Sequence, residues 1–349
     1  MTRKDRSKPA FDYILRRLVV GVVLFLVSTT TVYSSDSAVI VMYHRFGEPE
    51  FPSTNVSLEQ FDAHIEELTH GPYNVLPLPD IVSALREGRA LPDRAIGISI
   101  DDAYRSVYEN AWPRLRAAGL PFTLFVATEA VDRRSPSYMS WEQIREIRDA
   151  GMAIGSQTHS HLHMVTSPRI KNEADIVVSN RRFLGELGAT PTLFAYPYGE
   201  MSLDARTTII GSGFIGAFGQ HSGVAHRTSD QYFLPRFAFN EKFGGLNRLR
   251  TAANALPLPV KDITPTDPLL TENPPNFGFS ITAKIGKLDQ LTCYNTQQGR
   301  LNIERLGATR IELRFDEKLP QGRSRINCTL PDGEGRWRWF GRQFFVDRD

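Results

Sequence analysis

The chain has 349 residues, and 41% of them are apolar, so it can bury the core of one large domain and a small one. Its formal net charge is only +2, which gives no indication of a nucleic-acid or other polyanionic partner. The function therefore has to be inferred from local motifs rather than from overall composition.

Residues 1–35 have the layout of a secretory signal. Six cations precede the apolar run LVVGVVLFLV, and the polar stretch STTTVYSSDSA follows it. A basic start, a short apolar centre and small residues after it are typical of a signal peptide, and the run is short for a membrane-spanning helix. We expect export to the periplasm or cell envelope, either with cleavage after Ser34 or with the segment kept as a membrane anchor.

Between residues 38 and 240, short runs rich in Val, Ile and Phe alternate with longer helical patterns. Two helices begin with capping boxes, at Ser57 and at Ser140, and a third, long helix ends at Gly188. The seven predicted strands are AVIVMYH, AIGISID, PFTLFVA, GMAIGSQ, TLFAYP, FIGAFGQ and YFLPRFAF. Alternating strands and helices predict a parallel sheet with helices outside, either closed into a barrel or left open.

Residues that can carry chemistry fall at the ends of these predicted strands. Because the carboxyl ends of parallel strands meet at one rim of a barrel or one edge of an open sheet, these side chains should share one site. In chain order they are His44, the pair Asp101 and Asp102, the histidines of IGSQTHSHLHM, the YPYG segment at 196–199, and His221.

The stretch SIDDAY places two carboxylates side by side. Adjacent residues in an extended chain point to opposite faces, so Asp101 and Asp102 can reach one site only where the strand turns into a loop. One carboxylate could then bind a metal while the other stays free as a base. The alternative is that Asp102 only caps the helix that follows.

Together with the histidine cluster and YPYG, this pair resembles the motifs of NodB-like polysaccharide deacetylases, a carbohydrate esterase family. Family members show T-F-D-D-G, then H-S/T-x-x-H, then R-x-P-Y-G along a distorted (β/α) barrel, and the early MYHRF resembles the exopolysaccharide branch. The resemblance covers about residues 38–240. It implies an α/β fold: a distorted barrel of about seven strands over residues 36–255.

The resemblance also implies roles for individual residues. Asp101 corresponds to the general base, and Asp102 to a ligand of a divalent metal, with Zn²⁺ expected and Co²⁺ or Ni²⁺ as alternatives. A backbone N–H near Tyr198 is expected to help hold the oxyanion. The chain departs from the family at Ala103, which replaces Gly, and at Ala195, which stands where the orienting Arg would be.

The usual late acid histidine has no convincing counterpart in this chain. His44 and His221 are therefore the two candidates for the acid that protonates the leaving amine. His64 and His70 lie on or near a predicted helix and are expected to be solvated.

The cluster HSHLH allows two registers for the metal ligands. Taken literally, it matches the motif with His159 and His163. If the motif is instead aligned from the end of the preceding strand, IGS, the first ligand position falls on Gln157 and the second on His161. Gln is a poorer ligand for a transition metal than imidazole, so the second register needs His159 or His163 to compensate. A surface cluster that binds no metal is the third interpretation.

After residue 255 the pattern changes. Residues 256–276 contain six prolines and are predicted to be an extended linker, followed by a small β-sandwich-like domain at 277–349. In an exported protein, Cys293 and Cys328 of this domain are predicted to form a disulfide, with free thiols as the alternative. Because every candidate site residue lies upstream, residues 36–258 are expected to act without this domain.

The predicted function is metal-dependent hydrolysis of N-acetyl groups on N-acetylhexosamine units of a polysaccharide, either an exopolysaccharide or a chitin-like polymer. Two alternatives stay open: a catalytically impaired polysaccharide-binding adaptor, and a small-molecule amidase on the same barrel. The missing Arg and late His favour the adaptor, whereas the intact carboxylate pair disfavours it. Trp337 and Trp339 alternate with Arg338, as core-facing residues of a strand do; a sugar-stacking platform is the other interpretation.

Overall fold

The computed structural model describes residues 34–285 and 287–347. Residues 1–33, which hold most of the predicted signal or anchor, lie outside the described residues. Within the described ranges, no helix is long and apolar enough to cross a membrane. The described residues belong to one compact unit.

Seven strands form a curled sheet in which neighbours run parallel, in the order β6-β5-β4-β3-β2-β1-β7. Both β1 and β2 are buried along their whole length, because the sheet is covered on both faces, and this accounts for their uninterrupted apolar sequences. The strands are β1 Ser37–Tyr43, β2 Ala95–Asp101, β3 Thr123–Val126, β4 Ala153–Ser156, β5 Leu193–Ala195, β6 Gly216–Phe218 and β7 Phe237–Ala238.

The sheet closes irregularly through the segment around β7. Phe237 pairs in parallel with Val41 of β1, while Leu234 forms an isolated parallel bridge with Phe218 of β6. Pro235 lies between these contacts and has no N–H to donate to a ladder. One short segment thus meets both edges of the sheet, and the prediction of a distorted (β/α) barrel is confirmed.

Helices flank this sheet, and a π-helical turn at Val107–Ala111 leads into one of them. Both predicted capping boxes are formed, since the Ser57 and Ser140 hydroxyls each accept a hydrogen bond from the N–H three residues on. The longest helix ends at Gly188, whose φ of 74° is left-handed. The helices are α1 Leu58–His70, α2 Leu78–Glu87, α3 Trp112–Ala117, α4 Thr128–Asp132, α5 Trp141–Asp149, α6 Arg169–Leu187, α7 Leu203–Gly211 and α8 Leu246–Ala253.

His64 of α1 is buried, so the expectation that it is solvated is wrong. Its Nε2 donates to the Gly244 carbonyl at 2.8 Å, and its Nδ1 accepts from the Tyr43 hydroxyl at 2.9 Å. Burial lowers the pKa of His64 to about 4, against the opposing effect of the Gly244 carbonyl. The imidazole is a neutral core group that joins α1 to β1.

Two sheets make up the C-terminal β-domain and share one hydrophobic core. One sheet has the order β8-β9-β12-β11, and the other contains β10, β13 and β14 side by side. The strands are β8 Val260–Thr264, β9 Phe277–Ile281, β10 Thr292–Asn295, β11 Asn302–Leu306, β12 Arg310–Arg314, β13 Gly322–Pro331 and β14 Trp337–Val346. The predicted small all-β domain is confirmed.

The proline-rich segment at 256–276 is part of this β-domain rather than an extended spacer. It contains β8 and two short strands, Leu256–Pro257 and Leu269–Leu270, which both pair in parallel with β14. Prolines are tolerated there because edge strands leave some N–H groups without a ladder partner. The other two-residue strands are Ser34–Ser35, Arg45–Phe46, Asn55–Val56, Asn74–Val75, Leu91–Pro92, Ala225–His226 and Gly299–Arg300.

The predicted disulfide between Cys293 and Cys328 is confirmed. The two residues are directly opposite on β10 and β13, and both are completely buried. The bond therefore joins two neighbouring strands inside the core of the β-domain.

Replacing both cysteines, as Cys293→Ala/Cys328→Ala, should lower the free energy of unfolding of the β-domain. The disulfide joins residues 35 positions apart, and a closed loop of that size contributes about 3–4 kcal/mol by constraining the unfolded chain. Urea denaturation followed by tryptophan fluorescence measures the loss. Wild-type protein treated with a reductant is the control and should show a similar loss; unchanged midpoints in both would contradict the prediction.

Candidate active site

Asp101, the last residue of β2, is completely buried and paired with Arg236. The two terminal guanidinium nitrogens donate to the two carboxylate oxygens at 2.7 and 2.8 Å. The Arg236 Nε donates to the Gly219 carbonyl at 2.9 Å, and one terminal nitrogen also donates to Ser99 Oγ at 3.2 Å. Because Gly219 and Ser99 hold the Arg236 guanidinium in place, its two parallel hydrogen bonds to Asp101 fix the plane of the carboxylate.

Arg236 supplies the arginine that is missing at Ala195. It comes from the segment that closes the barrel rather than from the end of β5. Arg236 was not among the predicted site residues, although the sequence carries a signal for it: a single cation stands in the otherwise apolar stretch YFLPRFAF. A charged residue in a buried strand needs a charged partner, because an unpaired buried charge is very costly.

Asp102 reaches the same site because the chain turns sharply after β2. Asp102 and Ala103 both have left-handed backbone, with φ of 74° and 50°. Burial alone would raise the pKa of Asp102, but the close contact with His161 and the electrostatic interactions with His44 and His161 outweigh it and lower the pKa to about 2. The carboxylate is therefore ionised throughout the neutral range.

His161 is the member of the histidine cluster that lies beside Asp102. Its Nε2 is 3.3 Å from Asp102 Oδ1 and 3.2 Å from Gln157 Nε2. The Gln157 Oε1 in turn accepts from the Asp102 backbone N–H at 3.3 Å. The Tyr198 ring meets the imidazole edge to face, with centroids 4.6 Å apart. The structure thus brings together the residues of the register anchored on the strand.

The other two histidines make different contacts. His159 Nδ1 is 2.8 Å from Thr128 Oγ1. His163 Nδ1 is 2.6 Å from the buried carboxylate of Glu200, and the His163 ring stacks on Tyr198 with centroids 4.1 Å apart. Neither imidazole contacts Asp102 in the described residues.

The Asp102–His161 pair fits a divalent cation. Asp102 Oδ1 is buried without a hydrogen-bond partner among the described residues, and the His161 nitrogen faces it at 3.3 Å. Two ligand atoms of one tetrahedral Zn²⁺, with bonds of about 2.0–2.2 Å, are roughly 3.3–3.5 Å apart. Across residues 34–285 and 287–347, no group of three or more His, Cys, Asp or Glu could hold a metal. The third polar side chain next to the pair is Gln157, which contacts His161 Nε2 and the Asp102 backbone N–H.

The two acid candidates have different surroundings. His44 Nε2 is 3.9 Å from Asp101 Oδ2, and its side chain is 13% exposed. His221 is buried against Phe233, and burial followed by the positive charge of nearby arginines, Arg342 first, lowers its pKa to about 3. His221 lines a separate small cavity. Of the two, His44 lines the same cleft as Asp102.

The YPYG segment forms a tight turn after β5, and the β-domain holds it in place. Tyr198 has left-handed backbone, with φ 59° and ψ 5°. Its carbonyl accepts from Gln343 Nε2 at 3.2 Å and from Arg323 at 3.4 Å, and the Gly199 carbonyl accepts from Gln343 at 2.9 Å. Gln343 belongs to β14 and is almost completely buried.

These groups line one cleft of about 760 Å³. The barrel contributes His44, Asp102, His161 and Tyr198, and the β-domain contributes Thr296, Arg323, Arg325, Asn327 and Trp339. The expectation that residues 36–258 act alone stays a prediction, but the β-domain supplies part of the cleft lining. Trp339 lines the cleft and also packs edge to face on Phe237, so it has both a core contact and a face toward the cleft.

Comparisons with known proteins agree with this architecture. Residues 88–213 match the family model described as "Polysaccharide deacetylase". A poly-β-1,6-N-acetyl-D-glucosamine N-deacetylase of Staphylococcus aureus is 25% identical over 236 residues, which cover 60% of this chain and 81% of that protein. The putative polysaccharide deacetylase YxkH of Bacillus subtilis is 23% identical over 206 residues, 59% of this chain and 72% of that protein.

Solved structures share the fold. The Streptococcus pyogenes deacetylase PplD, in complex with acetate, has a TM-score of 0.58 at 18% identity, covering 62% of this chain and 98% of that one. IcaB from Ammonifex degensii has a TM-score of 0.56 at 24% identity, covering 63% and 97%. In its two carboxylates, its PYG turn and its fold, the barrel is therefore similar to the polysaccharide deacetylases, and residues 88–213 match the model of that family.

Proposed function

We propose that this protein is a hydrolase that removes N-acetyl groups from β-linked N-acetylhexosamine units of an exported polysaccharide, releasing acetate and a free amine. The observation that carries the proposal is the buried, arginine-paired Asp101 directly behind the Asp102–His161 pair, which lines the cleft. By its name, the Staphylococcus aureus relative acts on poly-β-1,6-N-acetyl-D-glucosamine, which supports this substrate class. The signal-like N-terminus supports export.

Asp101 is the proposed general base. Arg236 donates one hydrogen bond to each carboxylate oxygen. Each oxygen has a second lone pair, so it can accept another hydrogen bond. His44 lines the cleft, and its Nε2 is 3.9 Å from Asp101 Oδ2, so Oδ2 is the oxygen on the cleft side of this buried carboxylate. A water on that side can give its proton to Asp101 as it attacks the amide carbonyl.

Asp102 and His161, with the Gln157 amide beside them, are the residues proposed to hold a divalent metal, with Zn²⁺ the expected ion. When bound, such an ion supplies Lewis-acid polarisation of the amide carbonyl and lowers the pKa of water. The low pKa of Asp102 suits this role, because a carboxylate must be deprotonated to bind a metal.

The oxyanion is proposed to be held by a backbone N–H of the Tyr198 turn. Gln343 and Arg323 bind the carbonyls of this turn and so hold its peptide planes in one orientation. A hydrogen-bond donor that is already held in position does not have to reorient when negative charge develops on the carbonyl oxygen. His44 is proposed to protonate the leaving amine, since it faces the cleft whereas His221 is buried and neutral.

The adaptor alternative is weaker than the sequence suggested. Its main support was the missing orienting arginine, and Arg236 supplies that contact. A binding protein gains nothing from a buried carboxylate aligned by a buried cation, since such a pair contributes little to stability compared with apolar side chains. We therefore propose catalysis rather than binding alone.

The variants Asp101→Asn and Asp102→Asn should fail differently. Asp101→Asn should keep its metal while acetate release from a β-1,6-N-acetylglucosamine oligomer falls about 10²–10⁴-fold, the usual range for loss of an acid–base group. Asp102→Asn should lose bound metal, measured by atomic emission. Because Asp101→Asn leaves Arg236 unpaired, Asp101→Asn/Arg236→Gln is the folding control. Full metal content and activity in both single variants would refute the assignment.

Single alanine variants of the cluster test the ligand register. His161→Ala should lower the metal content most, because its Nε2 faces Asp102, and Gln157→Ala should lower it less. His159→Ala and His163→Ala should keep the metal and serve as matched controls. Loss at His159 and His163, with His161→Ala unaffected, would instead support the literal motif.

The acid assignment is tested by His44→Ala and His221→Leu. Removing His44 should lower turnover about 10²–10⁴-fold, and the basic limb of the pH profile should disappear. His221→Leu should retain turnover, because a buried neutral imidazole outside the cleft gives no proton to the substrate. The reverse result, measured as acetate release between pH 5 and pH 9, would identify His221 as the acid.

A further inference from the structure

Three arginines line the cleft, and the proposed deacetylation uses only Arg323 among them. Arg248 of α8 and Arg323 and Arg325 of β13 line it, and Asp102 is the only carboxylate among the described residues that do. Arg323 is partly neutralised, because it lies 3.6 Å from Glu200 and contacts the Tyr198 carbonyl. Arg325 is instead hydrogen-bonded to the neutral Gln343, and the Arg248 Nε has no hydrogen-bond partner among the described residues.

Arg325 is held in place by a neutral side chain, with Glu200 near enough to interact with it electrostatically. Its Nε donates to Gln343 Oε1 at 2.8 Å, and no carboxylate in the described residues forms an ion pair with it. Burial, and then the positive charge of Arg323, lowers its pKa to about 10, so the side chain stays cationic at neutral pH. Gln343 thus fixes one edge of the guanidinium and leaves the two terminal nitrogens for another acceptor.

Arg248 is the corresponding group on the barrel side. Its Nε is buried and has no hydrogen-bond partner among the described residues. The guanidinium lies 5.1 Å from the ring centroid of Phe243 and 5.8 Å from that of Phe239, and burial lowers its pKa. A partly desolvated guanidinium with an unused N–H is costly unless an anion binds it.

Aromatic side chains that can pack against a sugar lie in the same cleft. Phe243 is 46% exposed, and Trp339 is held by a hydrogen bond from its Nε1 to Asn327 Oδ1 at 3.1 Å. Guanidinium groups bind carboxylates and phosphates through parallel hydrogen bonds, and aromatic faces pack on sugar rings. The cleft therefore combines groups for a ring and groups for an oxyanion.

We propose that Arg248 and Arg325 form a subsite for an oxyanion, a carboxylate or a phosphate, carried by a sugar unit next to the one that is deacetylated. The substrate class is then an acidic N-acetylated polysaccharide. The polymer assignment rests on the proposed function, but the anion subsite does not require turnover. Because the barrel and the β-domain each contribute one arginine, the β-domain takes part in substrate selection.

Calorimetric titration of the full chain with a hyaluronan tetrasaccharide tests the subsite. This probe alternates N-acetylglucosamine with glucuronate, and its methyl ester has the same linkages without charge. The acid should bind at least about tenfold more tightly than the ester, since a hydrogen bond to a charged group contributes about 1.5–3 kcal/mol. N-acetylglucosamine 6-phosphate against N-acetylglucosamine is the arm that tests phosphate as the source of the oxyanion.

Arg248→Gln and Arg325→Gln should each weaken binding of the anionic probe and leave the neutral probe unchanged. Arg300→Gln, an exposed arginine of the β-domain that does not line the cleft, is the matched control and should keep the preference. Equal binding of charged and neutral probes in both arms, including no binding of either, would overturn the proposal. So would a preference that survives both variants.

The same samples separate this proposal from the proposed function. Acetate release from a neutral β-1,6-N-acetylglucosamine oligomer, with no preference for charged probes, would remove the subsite and leave the deacetylase. A clear preference for charged probes, without acetate release from any N-acetylated polymer, would retain the subsite and remove the deacetylase.

Discussion

The site depends on one buried ion pair, between Asp101 and Arg236. A carboxylate at the end of a fully buried strand is tolerated only with a partner that satisfies its charge and hydrogen bonds. That partner lies between the bridge from Leu234 to β6 and the pairing of Phe237 with β1. The contact that orients the proposed base is therefore also the contact that joins the closing segment to the centre of the sheet, so barrel closure and alignment of the base are linked.

The strands, the capping boxes and the placement of reactive residues at strand ends could all be predicted, because periodicity and local caps are properties of neighbouring residues. Arg236 could not be assigned, since it meets Asp101 from 135 positions away and only the closed topology brings the two together. The histidine register was undecided for a different reason. Thr158 and His161 have left-handed backbone, and spacing along the chain does not predict direction once the chain leaves the extended conformation.

The β-domain contains a proline-rich segment whose packing could not be predicted from its composition. Proline content describes how stiff a segment is, but it does not say which surface the segment packs against. The prolines of residues 256–276 lie in and around edge strands that pair with β14, and β14 in turn contributes Gln343 to the Tyr198 turn. A domain that the sequence suggests is separable is thus joined to the barrel at the turn that is proposed to supply the oxyanion donor.

Net charge also omits the positions of the charges. A sum over the chain does not show which charged groups are buried and which lie in water. Exposed ion pairs such as Arg314 with Glu304 contribute to the total of +2 but lie in water, where screening makes them weak. Arg248 and Arg325 line a cleft in which Asp102 is the one carboxylate among the described lining residues, and a cleft with an excess of one sign of charge focuses the field on whatever enters it. The near-neutral total therefore argues against a polyanion spread over the whole surface, but not against an anionic unit bound next to the proposed metal site.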